Sequence, residues 1–191
     1  MANNVEYHPL EPFLPHNAKV LMLGSFPPSK VRWSIEFFYP NFQNDMWRIF
    51  GLVFCNNKDA FVDMSNRKFC KERIVELLSR VGIALFDTAV AVVRTRGTAS
   101  DSDLQIVQPT SVAQLLCQLP YCEHIVATGT KSAEVCAEQL NVRLPHVGEY
   151  AEAVVDGRNI KLWRMPSSSR AYPMKLERKA ELYARLLKQL E

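Results

Sequence analysis

The sequence lacks every segment that would place the chain in a membrane or send it out of the cell. No apolar run approaches the roughly 18 residues that a transmembrane helix needs. The N-terminus, MANNVEY, has neither the basic nor the apolar part of a signal peptide. No repeat, low-complexity tract or linker interrupts the 191 residues. We therefore expect a single domain, residues 1–191, that works in the cytoplasm.

Motifs for metals and iron–sulfur clusters are also missing. The cysteines are odd in number and contain no Cys-x-x-Cys pair; they are Cys55, Cys70, Cys117, Cys122 and Cys136. Three of them (Cys70, Cys117 and Cys136) lie in apolar helical patterns, which predicts small buried thiols. The histidines are scattered without metal spacing and are expected on loops or facing solvent; they are His8, His16, His124 and His146. We predict that the protein uses no metal and no cofactor.

The charge balance and the glycine pattern exclude other common functions. Lys and Arg exceed Asp and Glu by 23 to 20, and a net charge of +3 is too small to indicate nucleic-acid binding by itself. A local basic face is still compatible with this net charge. Gly24 is not followed by the spaced glycines of a dinucleotide-binding loop, and no Gly-x-x-x-x-Gly-Lys phosphate loop occurs. Ser25 has no evident His partner, which argues against a hydrolase triad.

Short apolar runs alternate with helical patterns along the chain. Strands are predicted at 18–24, 83–86 and 125–129, with a hairpin of 153–155 and 159–163 around Asp156-Gly157. Helices are predicted from Asn44 onward, over 66–80, from Pro109 through Leu119, from a Thr130 cap to 140, and over 173–190. This alternation is typical of a mostly parallel sheet with helices on both faces. The functional crevice is then expected beyond the carboxyl ends of the strands, at 24–44, 87–103, 129–130 and 166–172.

Four sequence elements at those strand ends occur in a recognisable order. They are Gly24-Ser25-Phe26-Pro27, then Phe38-Tyr39 before Asn44-Asp45-Met46-Trp47, then Gly82-Ile83-Ala84-Leu85-Phe86-Asp87, and finally Pro166-Ser167-Ser168-Ser169. Together they resemble the uracil-DNA glycosylase superfamily, most closely its hypoxanthine-DNA glycosylase branch. The resemblance covers residues 18 to 187. It implies a three-layer αβα fold with a central, mostly parallel, four-stranded sheet, and a monomeric repair enzyme that acts on damaged duplex or single-stranded DNA.

The resemblance also assigns roles to two polar residues. Asn44 matches the catalytic Asn of the family, which positions the attacking water in a dissociative hydrolysis of the N-glycosidic bond. By spacing alone, Asn44 is instead a helix cap, and both roles can coexist. Asp87 stands where the superfamily often has an Asn that reads the flipped base. An ionised carboxylate can only accept hydrogen bonds, so it would take a base N–H. Alternatively, Asp87 is a buried residue that ties down the loop around Arg94 and Arg96.

The remaining candidate residues would hold the base and the DNA backbone. Phe26, Phe38 and Tyr39 are expected to stack on the extruded base, beside Ser25, although Phe38 is equally explained as a core residue. Hydroxyl and backbone N–H groups of Ser167, Ser168 and Ser169 are expected to bind phosphates, next to the positive end of the last helix. Arg170 is expected to enter the vacated base stack or to bind a phosphate.

Three residues depart from the family pattern. Met165 replaces a His that some branches use to stabilise the leaving base, and Asn41 and Phe42 replace a His-Pro pair. These departures leave two alternatives open. The first is a non-catalytic DNA- or nucleotide-binding protein with the same fold. The second is a hydrolase of free nucleosides or nucleotides, which the modest net charge would suit.

Overall fold

The computed structural model describes residues 4–95 and 103–190. The strands are β1 (Val5–Tyr7), β2 (Val20–Gly24), β3 (Val62–Asp63), β4 (Lys68–Phe69), β5 (Ile83–Asp87), β6 (Ala89–Arg94), β7 (Leu104–Pro109), β8 (His124–Thr128), β9 (Tyr150–Val155) and β10 (Arg158–Met165). The helices are α1 (Met46–Cys55), α2 (Lys71–Val81), α3 (Val112–Cys117), α4 (Thr130–Gln139) and α5 (Leu176–Leu187). Short 3₁₀ turns lie at Lys30–Arg32 and Lys188–Leu190.

A mixed five-stranded sheet forms the centre of the fold, in the order β5-β2-β8-β10-β9. The first four strands pair in parallel, and β9 adds to β10 in antiparallel orientation. The expected four-stranded sheet is therefore wrong by one strand, because the predicted hairpin contributes both of its strands. Its turn is the predicted Asp156-Gly157, and both residues have a positive φ, as the tight turn of a hairpin requires.

The three central strands are buried along their whole length. Each residue of β2 and β5 is buried, and so are four of the five residues of β8. Short apolar runs of this kind are stable only where both faces of a sheet are covered. The carboxyl ends of these parallel strands therefore meet at one edge, where Gly24, Asp87 and Thr128 are the last strand residues.

A second, antiparallel sheet was not expected from the sequence. It has the order β1-β6-β7, and none of its three strands was among those predicted. Tyr7 pairs with Ala91, and the backbone N–H of His8 donates to the carbonyl of Val90 at 2.8 Å. This pairing brings the N-terminal segment to the carboxyl end of β5. The predicted role of Arg96 falls outside the described residues.

Helix boundaries differ from the predictions mainly at their starts. Residues 66–70 were assigned to a helix, but the hairpin β3–β4 occupies 62–69 and α2 begins at Lys71. The Asp63 carboxylate accepts hydrogen bonds from the backbone and side chain of Asn66, which stabilises a turn there. Thr130 is the first residue of α4 and makes no capping bond. The last helix begins at Leu176, three residues later than Pro173.

Helix packing fixes the relation between the two ends of the chain. Helices α1 and α5 pack against each other, and Trp47, Phe50 and Tyr183 are fully buried in the shared core.

Two of the three cysteines that were expected to be buried are more accessible than predicted. Cys70 is partly accessible and Cys117 is exposed, whereas Cys136 is buried. Across residues 4–95 and 103–190, no helix combines the length and the apolar character needed to cross a bilayer.

Candidate active site

A cavity of about 660 Å³ opens at the carboxyl ends of the parallel strands. Five segments surround it: the loop after β2, the turn before α1, the ends of β5 and β8, and the loop after β10. This position follows from the sheet, because parallel strands deliver their carboxyl ends, and the loops that follow them, to the same edge. The volume suits a small molecule or a single nucleobase.

The cavity brings together most of the residues that the sequence singled out. Those that line it are Ser25, Phe26, Tyr39, Asn44, Asp87, Ser167, Ser168 and Ser169. Phe38 and Arg170 do not line it. Phe38 is 3% exposed and packs against Phe37 and Phe86, which favours the core interpretation of this residue over base stacking.

Asn44 sits at the entrance to α1, half-buried at the cavity wall. Its Oδ1 accepts a hydrogen bond from the backbone N–H of Met46, the first residue of α1, at 2.8 Å, although the N-cap position itself is Asp45, which makes no side-chain capping bond. An amide oxygen has a second lone pair, and among the described residues nothing accepts a hydrogen bond from Nδ2. Asn44 therefore keeps both an acceptor and a donor for a molecule in the cavity.

Asp87 ends β5 at the floor of the cavity and is 7% exposed. Its Oδ2 lies 2.8 Å from Nε2 of His8, whose side chain is only 2% exposed. His8 lies in the loop after β1, as one of the two expectations for the histidines had it, but its side chain is buried and does not face solvent. No local pattern indicates this pair, because the two residues are 79 positions apart and are brought together by the unpredicted pairing of β1 with β6.

Aromatic side chains form one wall of the cavity. The Tyr39 hydroxyl lies 3.1 Å from Thr128 Oγ1, which in turn donates to the Leu23 carbonyl at 3.3 Å. Tyr39 has φ 48°, a left-handed conformation that non-glycine residues adopt rarely and that recurs at functional sites. The Phe26 ring contacts the ring of His8 edge-on and lies beneath the Arg94 guanidinium. Both aromatic rings are thus held in fixed positions.

A buried ion network fixes the serine loop against α1. Asp45 accepts from Lys179 Nζ and from Arg170 Nε, both at 3.1 Å, and its backbone N–H donates to the Ser168 carbonyl. Lys179 is fully buried and also donates to the Ser169 carbonyl at 2.7 Å. Sequence reasoning missed Asp45 and Lys179, which lie 134 residues apart. The only available signal was a lysine on the apolar face of the last helix.

Hydrogen bonds around the same loop keep its polar groups aimed at the cavity. The Tyr183 hydroxyl donates to the Pro166 carbonyl at 2.9 Å; burial raises the pKa of Tyr183, so the group remains a donor. Ser167 Oγ accepts from the Ser169 N–H, and Ser169 Oγ accepts from the Ala171 N–H, each at 3.2 Å. The serine hydroxyls therefore shape the turn and still line the cavity.

Cationic groups lie at the mouth of the cavity and below α1. Arg32 lines the cavity from the 3₁₀ turn, and its exposed side chain makes no ion pair with any described residue. Arg170 is half-exposed and held by Asp45. Arg48 is buried beneath the turn and donates to the carbonyls of Phe42 and Asn44; burial, and then the nearby charge of Arg170, lowers its pKa. Among the described residues that line the cavity, Arg32 is therefore the cation available to an anionic ligand.

The three residues that depart from the family pattern have separate positions. Met165 is 1% exposed and does not line the cavity. Asn41 lines it, with its Oδ1 accepting from the Gln43 N–H, whereas Phe42 packs against Phe69. No cluster of His, Cys, Asp and Glu suited to a metal ion occurs within the described parts of the chain.

Comparison with known proteins agrees with this architecture. The chain is similar to the solution NMR structure of a Methanosarcina acetivorans protein described as a "putative Uracil DNA glycosylase". The TM-score is 0.66 and the identity 20%, over 98% of this chain and 99% of that one. No protein-family model matches the sequence, and no curated protein matches it. The similarity establishes a shared fold: a mixed α/β structure with a central sheet and flanking helices.

Proposed function

We propose that this protein is a monofunctional DNA glycosylase, which flips a deaminated base such as uracil or hypoxanthine and hydrolyses its N-glycosidic bond. One observation carries the proposal. A single cavity at the strand ends collects an amide (Asn44), a buried carboxylate (Asp87), fixed aromatic rings and a serine loop. The fold shared with the Methanosarcina acetivorans protein supports it.

The chemistry assigned to Asn44 is that of a group that orients water. Breaking an N-glycosidic bond builds positive charge on the sugar, so the nucleophile needs placement more than deprotonation. The Asn44 amide has little basicity, but its free lone pair and its Nδ2 group can hold one water at a defined angle. Among the described residues that line the cavity there is no amine nucleophile, so the product would be an abasic site without strand cleavage.

The other groups bind the nucleotide. Tyr39 and Phe26 offer ring surfaces for stacking, and Asp87 accepts an N–H from the base edge. The serine loop, with its N–H groups and hydroxyls, and Arg32 are placed to bind phosphates on either side of the flipped nucleotide. Arg170 enters the stack or binds a phosphate from the rim. A contact between the Arg32 guanidinium and a DNA phosphate would release counterions. The affinity for DNA would therefore fall as the salt concentration rises.

The proposal includes finer assignments that the resemblance implies. The chain would form one three-layer αβα domain over residues 1–191 and act as a monomer, without metal or cofactor. Its nearest relatives in function would be the hypoxanthine-DNA glycosylases. An ionised Asp87 fits both hypoxanthine and uracil, since each presents a ring N–H beside a carbonyl.

An excision assay with two Asn44 variants tests the proposal. Labelled duplexes carrying uracil, hypoxanthine, or thymine opposite guanine are incubated with the protein, treated with alkali and examined for strand scission. Asn44→Ser keeps a capping oxygen for the Met46 N–H and loses the amide, whereas Asn44→Ala loses both. We expect both variants to lose at least about 100-fold in excision rate, as for a positioning group in a transition state. Only Asn44→Ala should also lose about 1 kcal/mol of stability.

Asn57→Ala provides the matched control. Asn57 Oδ1 accepts a backbone N–H from Asp59 beyond the other end of α1, so the variant removes the same type of turn bond far from the cavity. It should keep full activity. Full activity in Asn44→Ser would refute the role of the amide, and absence of scission from every duplex with the native protein would refute the glycosylase.

Two observations favour the alternative of a non-catalytic DNA-binding protein. Asn44 Oδ1 already accepts the Met46 N–H, and Met165, in place of a His, is buried outside the cavity. Such a protein would bind duplexes with an abasic site or a lesion and release no base. Gel-shift measurements beside the excision assay distinguish the two functions directly.

A further inference from the structure

His8 is a buried histidine beside the cavity residue Asp87, and the proposed chemistry gives it no role. It follows β1 directly, and its backbone N–H donates to Val90 in β6. This connection holds the ring against the carboxyl end of β5, where Nε2 is 2.8 Å from Asp87 Oδ2. Its side chain is 2% exposed.

Both ring nitrogens of His8 have partners. Nδ1 lies 2.8 Å from the Leu10 carbonyl and 3.2 Å from the Leu10 N–H, so it can donate to one or accept from the other. Opposite an ionised Asp87, Nε2 carries a proton and donates it, whether the ring is neutral or charged. The rings of Phe26, Phe38 and Phe86 surround the imidazole at centroid distances of 5.4, 6.2 and 4.6 Å. They exclude water from this hydrogen bond and hold the ring in place.

Because of the bond to His8, the two carboxylate oxygens of Asp87 differ in their hydrogen-bond partners. Oδ2 is occupied by Nε2, and no described residue donates to Oδ1. Oδ1 lies over the Cα of Gly24, so closely that a Cβ at position 24 would collide with it. The carboxylate is thus held between an imidazole and a glycine, with one acceptor oxygen left for the cavity that Asp87 lines.

We propose that His8 is a positioning residue that sets the substrate class of the cavity by orienting Asp87. With Oδ2 bound by Nε2, Oδ1 accepts the ring N–H of a base that carries this N–H beside a carbonyl. Hypoxanthine, with N1–H, and uracil, with N3–H, belong to this class. Adenine and cytosine present a lone pair at the corresponding nitrogen, and two lone pairs repel. The inference rests on the proposed function and deepens it.

The test compares free bases that differ only at the ring N–H. The probes are hypoxanthine against 1-methylhypoxanthine, and uracil against 3-methyluracil, with binding followed by NMR titration of the full chain. Hydrogen bonds to a charged group contribute enough for the native protein to prefer each parent base by about 10-fold or more. In His8→Asn, whose amide is too short to occupy the Nε2 position, the preference should fall to about two-fold, since the fixed acceptor is lost.

Two further variants separate a positioning role from a structural one. His8→Gln places an amide nitrogen near the position of Nε2 and should restore most of the preference. In Asp87→Ala, the additional change His8→Asn should lower hypoxanthine affinity no further, because His8 acts through Asp87 and the two effects are not additive. Thermal unfolding of each variant shows whether it is folded, and His8→Gln keeps the test valid if His8→Asn unfolds.

The outcomes for the inference and for the proposed function are distinguishable. An unchanged preference in His8→Asn would show that the methyl group is rejected by shape, and it would overturn the inference even if the protein excises bases. The inference would also be overturned if the native protein showed no preference for hypoxanthine over 1-methylhypoxanthine and none for uracil over 3-methyluracil. A His8-dependent preference without excision of hypoxanthine or uracil from duplexes would support the inference and refute the glycosylase.

Discussion

Replacing Lys179 by methionine tests whether the ion network holds the serine loop against α1. Lys179 is fully buried in α5 and donates to the Asp45 carboxylate and to the Ser169 carbonyl. Met has a similar length and can fill the space without a charge. The substitution therefore removes the ammonium group with little change in packing, and Asp45 remains buried with one partner fewer.

The size of the effect follows from what each acceptor keeps. Ser169 O still accepts from the Tyr172 N–H at 3.1 Å, so it does not become an unsatisfied group. Of the described residues that donate to the Asp45 carboxylate, Arg170 remains, and it is half-exposed. Breaking a buried ion pair costs about 3 to 5 kcal/mol, and the remaining Arg170 contact favours the lower end. We expect a loss of about 3 kcal/mol and, at about 2–4 °C per kcal/mol for a chain of this size, a Tm lowered by about 6–12 °C.

Thermal and urea unfolding followed by circular dichroism measure the effect. Lys175→Met is the matched control, because Lys175 precedes the same helix, is exposed, and gives the same change in net charge. It should change stability by less than about 0.5 kcal/mol. In the double variant Asp45→Asn with Lys179→Met, the loss should be smaller than the sum of the single losses by about 1 kcal/mol or more. A loss below about 1 kcal/mol in Lys179→Met would refute the assigned stabilisation.

Three other changes test the cavity, the DNA contact and the buried thiol. Gly24→Ala should displace the Asp87 carboxylate and lower the excision rate about 10-fold or more, because one hydrogen bond to a charged group is lost. Circular dichroism should show that the variant is folded, and an unchanged excision rate would contradict the close contact between Gly24 and Asp87. Arg32→Gln should reduce the slope of log affinity for DNA against log salt by about one, and Arg143→Gln, beyond the far end of α4, should leave the slope unchanged. Burial raises the pKa of Cys136 to about 12, so a thiol reagent at pH 8 should modify the exposed Cys55 and Cys117 before Cys136, and mass spectrometry of the peptides measures the order; early modification of Cys136 would contradict its burial.

Patterns of local sequence were sufficient to predict the elements around the central sheet. The buried strands β2, β5 and β8 appear as short apolar runs because both of their faces are covered. The Asp156-Gly157 turn was predicted for a similar reason, since few residues tolerate its backbone angles. The β1-β6-β7 sheet was missed, because β1 is three residues long and pairs with a segment more than 80 residues away. Nothing in its own sequence indicates that pairing.

The candidate site, like the fold, was predictable from the sequence only in part. The sequence by itself determined which loops follow the parallel strands, and therefore that Ser25, Asn44, Asp87 and the serine loop share one cavity. Only the tertiary structure decided that His8 donates to Asp87, that Lys179 and Arg170 hold Asp45, and that Phe38 belongs to the core. The physical reason is that the location of strands and helices follows from periodic burial along the chain, whereas a buried ion pair or hydrogen bond depends on two side chains that meet only when distant segments pack.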